Sequence, residues 1–213
     1  LRYLSAGALA SLHLIEPAAC PCCGAPIEGQ VHETGRPCAD CLERRPVFAQ
    51  GRALFRYEGT GRILVQQLKY AHGTWLLPDL RAFLRDQPAF LAFARGALLV
   101  PVPLHPRRER RRGYNQSFLI AEAIAAEAGG ETRLAPLLRR TRDTPTQTRL
   151  DRAARLKNMR EAFALAPRAA PDRQRRHIVV DDVLTTGATL SACAAALRAC
   201  GVGRVDALAL AHG

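Results

Sequence analysis

No apolar run in this chain approaches the roughly 20 residues needed to cross a bilayer, so a membrane-spanning helix is not expected. There is no Gly-x-x-x-x-Gly-Lys-Ser/Thr loop, which argues against P-loop nucleotide chemistry. There is no internal repeat, so a solenoid or propeller is excluded. Lysine is nearly missing. Only Lys69 and Lys157 occur among 31 basic residues, so the rest of the positive charge is arginine. Against that bias a lysine marks a position to watch, and Lys69 is such a position.

The 213 residues are 48% hydrophobic, enough for one ordinary core and a small appendage, and too apolar for a disordered chain. The charge balance is 31 basic against 19 acidic residues, a net +12. A base-composition bias in the gene accounts for that in one reading, a polyanionic partner in the other, and both can hold together.

Seven cysteines are present, and the first five fall at Cys20, Cys22, Cys23, Cys38 and Cys41. Cys20 and Cys23 make one C-x-x-C, and Cys38 and Cys41 a second. Paired thiolates at this spacing read as a small zinc ribbon, with Zn2+ held in a closed tetrahedral site and therefore structural rather than catalytic. Cys22 is an extra thiol that cannot readily serve beside both Cys20 and Cys23. Cys193 and Cys200 read as small core residues. His13 and His32 read as surface histidines. Thiol pairs of this kind fit a reducing compartment, and the expectation is a cytoplasmic protein.

Leu4, Ala8 and Leu12 repeat at helical spacing and predict a short amphipathic helix. A lipoprotein-type signal ending at Cys20 competes with it, but His13, Glu16 and Pro17 interrupt the apolar region that such a signal needs. The first residue is Leu rather than Met, which leaves the native start open. We divide the chain into residues 1–50, with the helix and the ribbon, and residues 51–213, the main domain.

The main domain alternates strand and helix, which predicts a mostly parallel α/β sheet flanked by helices. Residues 53–57 read as a strand, Gly59-Thr-Gly61 as a turn, 62–70 and 75–85 as helices, and 97–103 as a buried strand that its two prolines stop. The run 104–117 then carries Arg107, Arg108, Arg110, Arg111 and Arg112. Arginine suits bidentate contact with phosphate, although a solvated basic face is the plainer reading for most of them. A helix follows from Ser117 to Ala128. Residues 150–160 read as a further helix with alternating arginines, capped by Thr148, and 162–165 as a short strand. A polar loop follows at 167–176, a helix at 188–200 ended by Gly201, and a last strand at 202–211.

The most informative stretch is His177-Ile-Val-Val-Asp181-Asp182-Val-Leu-Thr185-Thr186-Gly187-Ala188-Thr189-Leu190. Branched apolar residues make a buried strand, two carboxylates stand at its expected end, and hydroxyls with one glycine lead into a helix. Ligands of open α/β sheets bind at the carboxyl ends of strands. A helix N-terminus offers unpaired N–H groups to a phosphate, and ionised carboxylates accept hydrogen bonds from sugar hydroxyls. This stretch resembles the phosphoribosyl pyrophosphate (PRPP) loop of type I phosphoribosyltransferases.

Several further motifs occur in order: the paired cysteines, Leu-Lys-Tyr-x-x-Gly, Val-Pro-Val-Pro-Leu-His-Pro, Arg-Gly-Tyr-Asn-Gln-Ser and Thr-Pro-x-Gln-Thr, followed by the loop. Together they resemble the competence protein F (ComF) family of bacteria over nearly the whole chain. The resemblance implies a type I phosphoribosyltransferase-like domain with an N-terminal zinc ribbon. It also implies PRPP as ligand with Mg2+, and a role in natural transformation, bringing single-stranded DNA into the cytoplasm with a competence helicase as a candidate partner. Carried onto this chain, it places Val180 in the PRPP site, assigns the ribose to Asp181 and Asp182, which with Lys69 are the catalytic candidates, and the 5′-phosphate to Thr185, Thr186, Gly187, Ala188 and Thr189. Pro101, Val102, Pro103, His105 and Arg107 would line the pyrophosphate, and Lys69 would approach the same charge. Arg110, Arg111, Arg112, Tyr114, Arg152 and Arg155 are the nucleic-acid candidates. The acceptor of a transfer reaction is not identified by any residue pattern, and no glutaminase-type domain is visible. A PRPP sensor without turnover therefore stays open beside an enzyme, as does a DNA-binding factor with a vestigial site.

Overall fold

The computed structural model describes residues 2–15, 19–26, 35–70, 73–142 and 162–213. The branched apolar runs form β2 (Leu98–Pro101), β6 (His177–Leu184) and β7 (Val205–His212). With β1 (Gly51–Arg56) and the two-residue β3 (Arg133–Leu134) they make one sheet in the order β1-β7-β6-β2-β3, every pair parallel. β6 and β7 lie inside it and are covered on both faces, which is why they read as continuous apolar runs rather than alternating ones.

One face carries α3 (Gly59–Tyr70), a 3-10 turn (Gly73–Leu76), α4 (Leu77–Arg85), α5 (Pro88–Ala94) and α7 (Gln116–Ala128). Leu80 and Leu84 of α4 and Ile120 and Ile124 of α7 are all fully buried in this layer. Their four-residue spacing places each pair on one helix face, and each such side chain contributes about 1.5–3 kcal/mol by leaving water. The other face carries α8 (Ala188–Ala199) and a separate antiparallel pair, β4 (Leu138–Arg140) and β5 (Phe163–Leu165). Cys20, Cys23, Cys41 and Phe48 are buried in that same core. The N-terminal segment holds α1 (Ala6–Ala10) and α2 (Ala39–Arg44), and Leu14 bridges antiparallel to Phe55 at the outer edge of β1.

Several elements depart from the sequence reading. The N-terminal helix is only five residues long, started by Ser5, whose hydroxyl accepts the Ala8 N–H at 3.1 Å. Gly59-Thr-Gly61, expected as a turn, is the first turn of α3. A Cβ on Gly61 would lie 2.5 Å from the Arg56 carbonyl and 2.7 Å from the Phe55 ring, so glycine is there for close packing. The basic run contains a helix, α6 (Pro106–Arg112), with His105 as N-cap, Pro106 at its start and Gly113 closing it at φ +85. α5 was not anticipated. The expected helix at 150–160, with its Thr148 cap, lies outside the described residues, as does His32.

The strand end also differs. Asp181 and Asp182 are inside β6, which runs on to Leu184 paired with β7. It is the other neighbour, β2, that stops, at the Pro101–Val180 pair. The Leu98 and Val102 N–H groups point to β6, so the ring nitrogens of Pro101 and Pro103 face the β3 side, where the ladder also ends. Gly61→Ala should lower stability by about 1–3 kcal/mol through overpacking, read as a reduced midpoint in urea. An unchanged midpoint would contradict the close approach of α3 to β1.

Candidate functional site

The site begins where one rung of the β2–β6 ladder is missing. The Val102 N–H still donates to the Val180 carbonyl at 2.9 Å. By the regular parallel pattern the Val102 carbonyl would next accept the Asp182 N–H. Instead it accepts the Asn115 side-chain amide at 3.0 Å. The Asp182 N–H turns to the Asp181 carboxylate at 2.9 Å. The same Asn115 caps α7 by accepting the Ser117 N–H at 3.0 Å. The start of α7 is thereby laid across the gap beside the two acids.

Ser117 donates its hydroxyl to Asp181 at 2.8 Å, and Gln116 donates its amide to Asp182 at 2.7 Å. Lys69, near the end of α3, places its ammonium 2.9 Å from the other Asp182 oxygen. Asp182 is 3% exposed, whereas Asp181 is half-buried. Desolvation, followed by the neighbouring Asp182 charge, pushes the Asp181 carboxyl up to about 7, against the pull of Ser117 and Lys69. Desolvation opposes the Lys69 charge, but Asp182 and then Asp181 hold that ammonium above its ordinary value. The acids thus form one coupled group with Lys69, and Asp181 is its member able to exchange a proton near neutrality. Gln116 and Ser117 belong to a motif that the sequence singled out, but their pairing with the acids follows from the missing rung, which no local pattern announces.

Beyond Leu184 the chain makes the threonine turn. Thr185 and Thr186 are exposed, Thr189 is half-buried, and Gly187 has φ +69, a left-handed conformation that favours glycine. Gly187 is itself buried, and a Cβ there would sit 3.4 Å from the Phe48 ring. Its role is therefore to shape the turn. Among the described residues no side chain caps α8 in the ordinary way. The Ala188 N–H has only a long contact of 3.4 Å to the Thr186 hydroxyl. A twelve-residue helix with an open N-terminus and hydroxyls around it is receptive to an anion.

The cysteine cluster adjoins this turn. The sulfurs of Cys20, Cys23, Cys38 and Cys41 all lie within 4.8 Å of one another. Cys23 and Cys38 are 3.8 Å apart, close to the edge of a tetrahedron with metal–sulfur bonds of about 2.3 Å. The Cys38 N–H points to the Cys20 sulfur at 3.2 Å. Burial opposes ionisation of Cys20, but N–H groups of Cys38, Cys23 and Cys22 bring its thiol down to about 7. Burial pushes Cys23 up to about 12 and Cys41 higher, with neighbouring thiols adding to the rise at Cys41, so a cation is what favours these thiolates. The donor set fits a metal ion such as zinc. Cys22 is not part of the group.

A cavity of about 30 Å³ lies between the cluster and the turn, lined by Cys23, Cys38, Cys41, Phe48, Thr185, Thr186, Gly187 and His212 among others. Burial keeps His212 below its ordinary pKa, and its Nε2 is buried without a partner among the described residues. Larger cavities of about 350 and 630 Å³ lie elsewhere, between α4 and α7 and beside β1 and α5.

Of the remaining candidates, Val180, Pro101 and Val102 are buried, and Pro103 is half-buried. Arg107, Arg110 and Arg111 are exposed on α6, while Arg112 is half-buried, its guanidinium bonded to Gln116 and lying over the Tyr70 ring at 5.3 Å. The Tyr114 hydroxyl donates to the Leu68 carbonyl at 2.7 Å and accepts the Gly73 N–H at 3.1 Å, so it ties α3 to the start of α7. Arg152 and Arg155 lie outside the described residues.

A raised Asp181 pKa has a definite sign. The folded state binds that proton more tightly than the unfolded chain does, so it contributes a loss of stability as pH rises from about 4 to about 7. Asp181→Asn removes this term. Its melting temperature relative to wild type should therefore climb by a few degrees across that window and level off above it. A difference that is flat with pH would contradict the coupled acid pair.

No family model matches the chain. It is 31% identical over 179 residues to a Haemophilus influenzae protein named Competence protein F, covering 82% of this chain and 78% of that one. It is 31% identical over 191 residues to the DNA utilization protein YhgH of Salmonella typhimurium, covering 88% and 81%. With the Competence protein ComFC of Bacillus subtilis the identity is 26% over 177 residues, covering 80% and 68%. With its paired cysteines, its acid pair and threonine turn, and these relatives over most of its length, the chain belongs to the competence protein F (ComF) family.

Proposed function

We propose that this protein binds PRPP at the carboxyl end of β6, in a type I phosphoribosyltransferase-like domain, and acts in the uptake of single-stranded DNA during natural transformation. The observation that carries the PRPP reading is the juxtaposition in one short stretch of a carboxylate pair and an open, hydroxyl-lined helix N-terminus. The names of the relatives, competence and DNA utilization proteins, support the second half of the proposal.

In this reading the backbone N–H groups of 185–189 and the threonine hydroxyls hold the 5′-phosphate. The ribose hydroxyls meet Asp181 first, because it is the more accessible acid, and Asp182 shares its oxygens between the sugar and Lys69. Pro101 to Arg107 and Lys69 face the pyrophosphate. Carboxylate oxygens suit a hard cation, and Mg2+ bound with PRPP supplies charge that neutralises the leaving group. The protein's own contribution is orientation of the sugar and stabilisation of developing charge. The cysteine group holds a structural zinc, since four thiolates leave no open position. Turnover requires an acceptor. Release of pyrophosphate when an acceptor is supplied marks an enzyme, and saturable PRPP binding with no release marks a sensor.

Calorimetric titration of PRPP with magnesium into wild type should give saturable binding, and Asp181→Asn/Asp182→Asn should weaken it by about a hundredfold or more, the loss of roughly two charge-assisted hydrogen bonds. Equal affinity in the two proteins would remove this site. Protein purified without chelator should carry about one zinc per chain by elemental analysis, and Cys38→Ser/Cys41→Ser should carry none. Absence of zinc from the wild type would refute the ribbon.

A further inference from the structure

The described chain keeps few large apolar side chains in contact with solvent, and three of them are aromatic: Tyr70 at 70% exposure, Tyr3 at 45% and Trp75 at 40%. Exposing an aromatic ring costs free energy that burial would recover, so a group of them asks for a ligand with a flat apolar face. Tyr70 is backed on one side by the Arg112 guanidinium at 5.3 Å, and its high exposure leaves the rest of the ring to solvent. Trp75 meets Tyr3 edge-on at 4.8 Å, and Arg2 lies over the Tyr3 ring at 5.2 Å. Tyr70 ends α3, Trp75 sits in the 3-10 turn that follows, and the Tyr114 hydroxyl pins the intervening Gly73.

The surroundings decide the ligand. Arg112 is both the support under Tyr70 and a neighbour of exposed Arg110 and Arg111 on α6. An aromatic ring framed by arginine suits a base stacked on the ring with its phosphates on the guanidinium groups, whereas an acidic peptide would use the charge and leave the ring idle. The platform is also wired to the acid pair. Arg112 bonds Gln116, Gln116 bonds Asp182, and Lys69, the residue before Tyr70, completes the loop on the same carboxylate.

We infer that Tyr70, backed by Arg112, is a base-stacking platform for single-stranded nucleic acid, with Trp75 and Tyr3 as a second stacking position. The inference rests on the DNA reading above and names the surface and the contact by which the strand is held. It also moves the aromatic role from Tyr114, whose hydroxyl serves the fold, to Tyr70, which the sequence left among helix residues.

Trp75 is the sole tryptophan, so its emission reports directly on the second stacking position. We would titrate full-length protein with oligothymidylate of about 20 nucleotides, following tryptophan quenching and, in parallel, anisotropy of a labelled strand. Wild type should bind with quenching. Tyr70→Ala should weaken binding about tenfold or more, Tyr70→Phe should stay near wild type, and neither should change the salt slope, because no phosphate contact is removed. An abasic strand of equal length should bind more weakly and be indifferent to Tyr70→Ala. Equal affinity of Tyr70→Ala and wild type for the oligothymidylate would overturn the platform and leave the DNA reading standing. No binding by wild type at low salt would overturn both. A mononucleotide bound as tightly as the strand, and lost in Tyr70→Ala, would overturn the assignment to a strand.

Discussion

Between Val102 and Asp182 the sheet gives up one hydrogen bond, and the groups released by that loss are re-paired by side chains. Asn115 supplies a substitute donor for the carbonyl, and Asp181 supplies a substitute acceptor for the amide. A buried backbone group left unpaired would cost about 1–3 kcal/mol, so both substitutions are needed for β6 to continue past its neighbour. They bring the start of α7 beside the acids, which in turn fixes Ser117 and Gln116 on the carboxylates. Removing the rung is thus what converts a stretch of ordinary parallel sheet into a polar recess with ordered walls.

The polar recess carries its own electrostatic balance. Two adjacent carboxylates in a largely desolvated place are unfavourable, and Lys69 sets its ammonium 2.9 Å from Asp182. In a chain with only one other lysine, Lys157, a lysine at this point offers a compact ammonium on a flexible stem, which suits a carboxylate pair in a narrow recess. A planar guanidinium is bulkier, and Arg112, linked to this region through Gln116, is instead engaged over the Tyr70 ring and in holding Gln116.

Much of this was legible in the sequence. The cysteine pairs announced a cluster because metal–thiolate geometry imposes its own spacing, and the branched run before Asp181 announced a buried strand because such residues suit two covered faces. What could not be read were features set by tertiary contact. Gly59 to Gly61 carry turn-forming residue types, yet packing of α3 on β1 recruits them into a helix. The charge run 107–112 obscured the Pro, Glu and Gly signals of a helix that were present around it. The acids looked like a strand end because polar residues usually mark one, and only the pairing register reveals that the neighbouring strand stops instead. Tyr70 and Tyr114 are both tyrosines within motifs that stand out in the sequence. Only their hydroxyl partners and exposure separate a residue that fastens helices from one turned to solvent.

The chain that leaves the cysteine cluster does not drift away from the sheet. Phe48 lies against Gly187, and the Val47 N–H donates to the Ser191 hydroxyl at 3.3 Å, so this segment props the threonine turn and the first turn of α8 from behind. The stiffness of the threonine turn is therefore borrowed from a thiol-rich knot far from it in sequence. Oxidants or metal scarcity, acting on sulfur alone, would slacken that turn without altering any of residues 185–189.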